Sequence, residues 1–381
     1  MDGTQRTTRV AMVKLPNGIP VPVITAHIVV GAGEPCEEGL RPSIIRDMLI
    51  VLFPHTAVCE AYGRNIPLPD ARTLPRLDYR GGFYEKLMEQ PREQLKIADI
   101  PVFFCDTSFT FLFDERAGRP RRRIGRHALA AIGRVISAAL NAVAGIRRAL
   151  EIGVVWEIRR RWPDALVLHD GPLVREMFLI YTGLAVEELA RLERMPEKCF
   201  SFLKKVVGLV KRVFIVPESG LEAVFSGLSE GVFKIPIFRM LKPIGGEESP
   251  EREARRAPFH GVLSCFCILR PKLATSIPLV ISPSGGLVRI DVPIASILEE
   301  YHEDWMMPDF DVRSRLTSDG PAREALKRIL SGILAERLPY PGTIDLHRML
   351  VELAGTELIE RVLRSRLLPK EVMRMLSREF L

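Results

Sequence analysis

Residues 165–173 read ALVLHDGPL. Leu166, Val167 and Leu168 form an apolar run suited to a buried strand, and Gly171-Pro172 turns the chain directly after it. Between run and turn stands Asp170. An ionised carboxylate carried towards an apolar core is costly unless it is paired, hydrogen-bonded or bound to a metal. The end of this strand is therefore where chemistry is expected.

Upstream, Ala128 to Arg161 has helical periodicity and good helix formers, carries Arg147, Arg148, Glu151 and Glu157, and stops at Trp162-Pro163. Before it, Ile97 to Phe113 (IADIPVFFCDTSFTFLF) reads as two strands joined tightly at Asp106-Thr107-Ser108, a second acid at a strand end. Arg116 to Arg126 (RAGRPRRRIGR), between them, is either a solvated loop or a phosphate-facing arm. At the start of the chain, Val10 to Leu15 and Ile19 to Val30 flank Pro16-Asn17-Gly18, a hairpin signal that predicts a small β element. The spacing of Pro42 to Phe53 predicts a helix, Tyr62 to Gly82 a linker or surface arm, and Phe83 to Leu95 a short helix.

Downstream, Val174 to Thr182 and Ala185 to Arg194 read as helices, and Cys199 to Phe214 mixes strand-like runs with Lys204, Lys205, Lys211 and Arg212. Gly220 to Phe233 reads as helix and Pro250 to Arg256 as a charged surface piece. Gly261 to Leu269 and Leu279 to Val292 read as strands, with Arg289 and Asp291 on one face at period two. The final third is helical over Asp319 to Glu336, His347 to Leu353, Glu357 to Leu368 and Lys370 to Phe380. Strands and helices mixed in this order argue α/β, not a helical bundle.

Composition narrows the class. With 47% hydrophobic and 27% charged residues among 381, the chain is globular, large enough for one substantial core with an appended segment. The net charge of +7 comes chiefly from arginine and is compatible with a polyanionic partner or with a solvated surface. Only three Asn and three Gln occur beside 29 prolines, a heat-adapted pattern. The six cysteines include no CxxC pair, and Cys265 and Cys267 are read as buried strand residues, with no zinc site. The polar opening lacks an apolar leader, and the apolar stretch His127 to Ile146 is broken by Arg134 and Asn141, so the sequence reads as cytoplasmic and not membrane-spanning.

Two strand-end aspartates, Asp106 and Asp170, with a helical glutamate between them are the donor set that a hard divalent cation needs for phosphoryl transfer. Both sequences are also ordinary turns. Further on, Leu338 to Arg348 (LPYPGTIDLHR) places Tyr340 in an extended segment and His347 on a following helix that Thr343 could cap. His347 is either a hydrogen-bonded helix residue or a group that contacts phosphate, binds metal or moves a proton.

ALVLHDGPL, the Cys-Asp-Thr-Ser turn, the Arg147-to-Glu151 helix, VVGLVKR at Val206 to Arg212, LVRIDVP at Leu287 to Pro293 and LPYPGTIDLHR stand in the order in which the NurA nuclease family carries such motifs. The chain resembles that family over roughly Ala98 to Leu353. The resemblance implies a ribonuclease-H-like α/β core, a mixed central sheet flanked by helices, with an N-terminal β-containing extension and a helical C-terminal part. It implies a manganese-dependent DNA nuclease, with magnesium as the alternative ion, acting on single strands and from 5′ ends. It also implies a homodimer docked on a HerA-type hexameric ATPase translocase in DNA-end resection. Residues 1–95 would be an extension, a candidate partner-binding segment, and 96–381 the nuclease domain. By position Asp106, Glu151, Asp170 and His347 match the metal-binding set, with Glu157 the alternative to Glu151, and Tyr340 joins the catalytic group. Arg121, Arg122, Arg123, Lys204, Lys205, Lys211 and Arg289 would hold DNA. A non-catalytic DNA-binding or docking subunit of the same fold is the competing expectation. The chain departs from the family at Thr107, where glycine is usual, and in an interval from Tyr340 to His347 about one residue shorter.

Overall fold

The hairpin is the first feature that the sequence dictates. Gly18 takes φ 85° and donates its N–H to Leu15 O at 2.8 Å, a left-handed turn position that a side chain would disfavour. The fold is that of a computed structural model, which describes residues 1–16, 18, 20–36, 39–65, 72–73, 96–97, 99–108, 113–114, 119–120, 132–173, 197–211, 213, 215–217, 237–238, 241–243, 262–269, 286–306, 315–316, 318–335 and 353–378. It is a mixed α/β protein.

Six strands make the first sheet: β1 (Asp2–Lys14), β2 (Pro20–Cys36), β3 (Gly39–Phe53), β4 (Arg72–Thr73), β5 (Lys96–Ile97) and β6 (Ile100–Asp106). Their order is β1-β2-β3-β6-β4, with β5 on β6. The N-terminal β element is thus larger than expected. Pro42 to Phe53, expected as a helix, lies within β3, and this is a correction. The strand sits between β2 and β6 and is buried without a break from Met48 to Phe53. A central strand covered on both faces reads as a continuous apolar run, which helical spacing alone does not distinguish. The β-branched Ile44, Ile45, Ile50 and Val51 fit the strand. β3 and β6 pair in parallel with Phe53 opposite Asp106, so the sheet takes strands from both sides of residue 95. β7 (Phe113–Asp114) and β8 (Arg119–Pro120) form a separate antiparallel ribbon.

Helix α1 (His55–Tyr62) follows β3, and α2 (Ile132–Arg161) runs for 30 residues to the expected stop at Trp162-Pro163. Val135 and Ala138 of α2 pack in one core with Val21, Leu49, Val51, Val102 and Phe104.

The second sheet draws on the rest of the chain: β9 (Val167–Asp170), α3 (Glu197–Leu203), β10 (Val206–Val210), β11 (Ile215–Pro217), β12 (Ile237–Phe238), β13 (Leu241–Pro243), β14 (Val262–Ile268) and β15 (Leu287–Pro293). Its order is β12-β14-β15-β10-β9, and β11 with β13 forms a second ribbon. β9 and β10 are parallel, whereas β14, β15 and β10 pair antiparallel. The stretch Cys199 to Phe214 therefore holds helix first and strand second. Lys205, at φ 64°, makes the reversal between them, and its N–H donates to Ser296 Oγ at 3.0 Å.

Helices α4 (Gly320–Ala335), α5 (Ala354–Arg366) and α6 (Lys370–Arg378) match the helical third. The α5–α6 junction is fixed on the first two strands. Arg6 Nη1 donates to Leu368 O at 2.8 Å, and Leu368 N–H donates to His27 Nδ1 at 3.0 Å. Burial, and then the nearby Arg6 charge, pulls the His27 pKa down to about 4.

By internal packing the chain divides into two units. One holds Met1–Asp2, Gly33–Arg41 and Val155–Ile359, and the other Gly3–Ala32, Pro42–Val154 and Glu360–Leu381. Among the described residues no helix is long and apolar enough to cross a membrane. The expected helices at 83–95, 174–182, 185–194, 220–233 and 347–352, and the surface piece at 250–256, lie outside the described residues.

Candidate functional site

Asp170 ends β9 where expected, and Lys211 follows β10, so the two sit at the carboxyl ends of parallel neighbours. Lys211 Nζ lies 2.5 Å from Asp170 Oδ2, with the side chains 16% and 15% exposed. This answers the cost of the strand-end carboxylate: a cation neutralises it where little water reaches. Breaking such a pair from one side generally costs about 3–5 kcal/mol, because the other charge stays behind.

The backbone around Asp170 is held from several directions. Asp170 N–H donates to Met1 O at 3.0 Å, and the Met1 ammonium donates to Leu168 O at 2.8 Å. Gly171 N–H donates to Leu209 O at 2.9 Å, and Gly171 takes φ 143°, a conformation open to glycine. The chain then folds back over β10. A Cβ on Gly208 would stand 2.7 Å from Gly171 O and 3.1 Å from Leu173 N. Gly208 is therefore the space through which the turn passes, which is what a glycine inside a strand often marks.

Beneath the turn lies a buried ionic network. Asp291 is 0% exposed, and its Oδ1 accepts from Arg289 Nε at 2.8 Å and from Ser264 Oγ at 3.0 Å. Its Oδ2 accepts from Arg289 Nη2 at 3.0 Å and from Leu173 N–H at 3.1 Å. Period two does put Arg289 and Asp291 on one face, as expected. Arg289, expected to hold DNA, is 2% exposed and turned onto Asp291. Through Leu173 the pair anchors the strand-end turn. Asp291, Ser264 and Gly208 were missed as contributors to the site; the glycine in VVGLV and the Arg-Asp alternation were the available signals.

In the other unit, Asp106 and Ser108 grip the start of α1. Asp106 Oδ2 accepts from Thr56 Oγ1 at 2.5 Å and Thr56 N–H at 3.2 Å, and Oδ1 accepts Ser108 N–H at 2.9 Å. Ser108 Oγ accepts Ala57 N–H at 2.9 Å. The Cys-Asp-Thr-Ser turn thus supplies the acceptors that the first turn of a helix lacks, and a carboxylate there meets the positive end of the helix. Thr107 N–H donates to Phe53 O at 3.1 Å, tying the turn to the end of β3. Burial, with the Asp106 charge next to it, pushes the Cys105 thiol up to about 12.

Glu151 is buried on α2, with Arg147 Nε 3.6 Å from its Oε1. Arg147 Nη1 also donates to Gly3 O at 3.0 Å, and a Cβ on Gly3 would overlap Glu151 Oε1. Glu157, the alternative, pairs with Arg161 one turn on. Of the expected DNA contacts, Lys204 Nζ donates to Glu299 O at 2.6 Å and Lys205 Nζ to Asp164 Oδ1 at 2.6 Å. Arg121, Arg122, Arg123, Tyr340 and His347 lie outside the described residues.

The oxygen donors Asp106, Glu151 and Asp170 suit manganese or magnesium by type. Among the described residues, no group of three or more His, Cys, Asp or Glu side chains is placed to hold an ion. Compared with protein-family models and with curated proteins, the chain matches none.

Proposed function

We propose that the chain is a divalent-metal-dependent DNA nuclease with a ribonuclease-H-like core, a single-strand endonuclease and 5′-to-3′ exonuclease of the NurA type. The observation that carries this reading is Asp170, a little-exposed carboxylate at the carboxyl end of paired parallel strands, held by Lys211. Ligands of α/β sheets gather at such strand ends. Asp106 ends a strand in the same relation to β3.

In this reading Asp106, Glu151, Asp170 and His347 would hold manganese or magnesium. Such an ion, when bound, makes water a nucleophile near neutral pH and stabilises charge on the phosphate. The chain's own residues do the rest. Lys211 holds the Asp170 carboxylate in place through their ion pair, the Arg289–Asp291 pair fixes the turn that carries it, and Tyr340 would belong to the catalytic group. Lys204, Lys205 and Arg121 to Arg123 hold the strand. A homodimer working with a HerA-type translocase belongs to the same proposal, as does a cytoplasmic location.

A second reading has support of its own. Asp106 and Asp170 already have partners in Thr56, Ser108 and Lys211, which suits a DNA-binding or translocase-docking subunit without cleavage. Incubating the purified chain with labelled single-stranded DNA and Mn²⁺ separates the two. Cleavage that EDTA stops supports the nuclease; salt-sensitive binding without cleavage in Mn²⁺ or Mg²⁺ supports the second reading.

A further inference from the structure

The chain has three tryptophans. Trp305 is buried, whereas Trp156 and Trp162, in the last turns of α2 and just past its end, are 39% and 37% exposed. Each carries a guanidinium on its ring: Arg160 lies 4.7 Å from the Trp156 centroid and Arg161 6.0 Å from that of Trp162. Arginines in a last helical turn also complement the helix dipole. That role does not require two large indoles in water within seven residues.

The basic surface continues beyond the helix within the same unit. Residues 160–164 are all exposed. The hydrogen bond from Lys205 holds the Asp164 carboxyl below its usual range, and the charges of Lys205, Arg159 and Lys204 add to this. Five cations, Arg159, Arg160, Arg161, Lys204 and Lys205, thus stand against three acids, Glu157, Asp164 and Glu299, whose carbonyl oxygen accepts from Lys204 Nζ. The surplus is positive, and apolar rings are interleaved with it.

We propose that this patch, Trp156, Arg160, Arg161 and Trp162 with Lys204 and Lys205, is a binding platform for single-stranded nucleic acid. The inference rests on the proposed nuclease reading and gives that reading a strand-holding surface on the far end of α2. Unpaired bases stack on exposed indoles because every base has a π-face, and guanidinium and ammonium groups follow the phosphates. A duplex keeps its bases stacked internally and meets the cations alone. Charge complementarity therefore favours both forms, and the indoles favour the single strand.

The test is anisotropy of a labelled oligo(dT) strand and of a duplex of equal length, in EDTA so that no cleavage occurs. Trp156→Ala with Trp162→Ala is expected to weaken single-strand binding by about tenfold or more and to leave the duplex within about twofold. Replacing both with Tyr restores most of the single-strand affinity. Arg160→Glu with Lys205→Glu weakens both ligands and lowers the single-strand salt slope by about 0.7 for each phosphate that is no longer neutralised. The platform is overturned if the alanine pair binds oligo(dT) like the wild type, if both ligands weaken equally, or if the chain binds anionic vesicles and not oligo(dT). Cleavage with an unaffected alanine pair would sink the platform and leave the nuclease; platform binding without cleavage would do the reverse.

Discussion

Asp291→Ala removes the acceptor at the centre of the buried network. In the native chain Asp291 takes hydrogen bonds from Arg289 Nε, Arg289 Nη2, Ser264 Oγ and Leu173 N–H, at 2.8, 3.0, 3.0 and 3.1 Å. Arg289 is 2% exposed, so alanine leaves a buried guanidinium without its carboxylate. Removing one partner of such a pair costs about 3–5 kcal/mol. The amide of Leu173 loses its acceptor as well, at about 1–3 kcal/mol for a buried donor. These terms overlap, and about 4 kcal/mol is expected in urea unfolding at pH 7. Arg289→Met with Asp291→Leu removes both charges and should recover much of the loss, because apolar replacement of a whole buried pair is often neutral. The Leu173 amide still lacks its acceptor in that double variant, so the Asp170 turn should stay loosened and Mn²⁺-dependent cleavage should stay low while stability returns. A cost under about 1 kcal/mol for the single variant, or full cleavage by the double variant, would refute the assigned anchoring role.

Other perturbations address separate parts of the account. Gly208→Ala puts a methyl 2.7 Å from Gly171 O, and overpacking against backbone should cost about 1–3 kcal/mol; unchanged urea midpoint and cleavage would contradict this. Asp106→Ala should destabilise by about 1 kcal/mol through loss of the α1 cap, whereas Asp106→Asn keeps the acceptor for Thr56 but not the one for Ser108 N–H, and should cost less stability than alanine while losing cleavage. Normal cleavage in Asp106→Asn would reduce this residue to a cap. His27 supplies the pH prediction. Its folded pKa, about 4, lies below the unfolded value of 6.5, so the unfolded chain takes up the proton first. Stability should be level above about pH 6.5 and fall by about 3 kcal/mol towards pH 4; His27→Gln should flatten that limb, and an unchanged profile would count against the buried neutral imidazole.

Some of this was legible in the sequence because the cause is local. The turn at Gly18, the helix ending at Trp162-Pro163 and the strand running into Asp170 each follow from a few adjacent residues. The β3 strand was misread because its apolar run is buried on both faces, and spacing alone does not separate that from a helix. Lys211 was read as a strand-holding cation, but its partner is Asp170, brought close by the parallel pairing of β9 with β10. Arg289 presents the same problem in reverse: an arginine on a strand looks available until Asp291 and Ser264 are seen beneath it. Thr56 against Asp106 was invisible for another reason, since that cap spans fifty residues of sequence. A tight turn or a helix stop is a short-range property, whereas the neutralisation of a carboxylate depends on which distant segment packs beside it.

The most direct test of the central claim is cleavage of labelled single-stranded DNA in Mn²⁺ by the wild type and by Asp170→Asn, both shown to be folded by circular dichroism. The account predicts that the wild type cuts, that EDTA stops it, and that Asp170→Asn loses at least about a hundredfold in rate, about 2.7 kcal/mol of barrier. Equal rates in the two proteins, or a folded wild type that cuts in neither Mn²⁺ nor Mg²⁺, would contradict it.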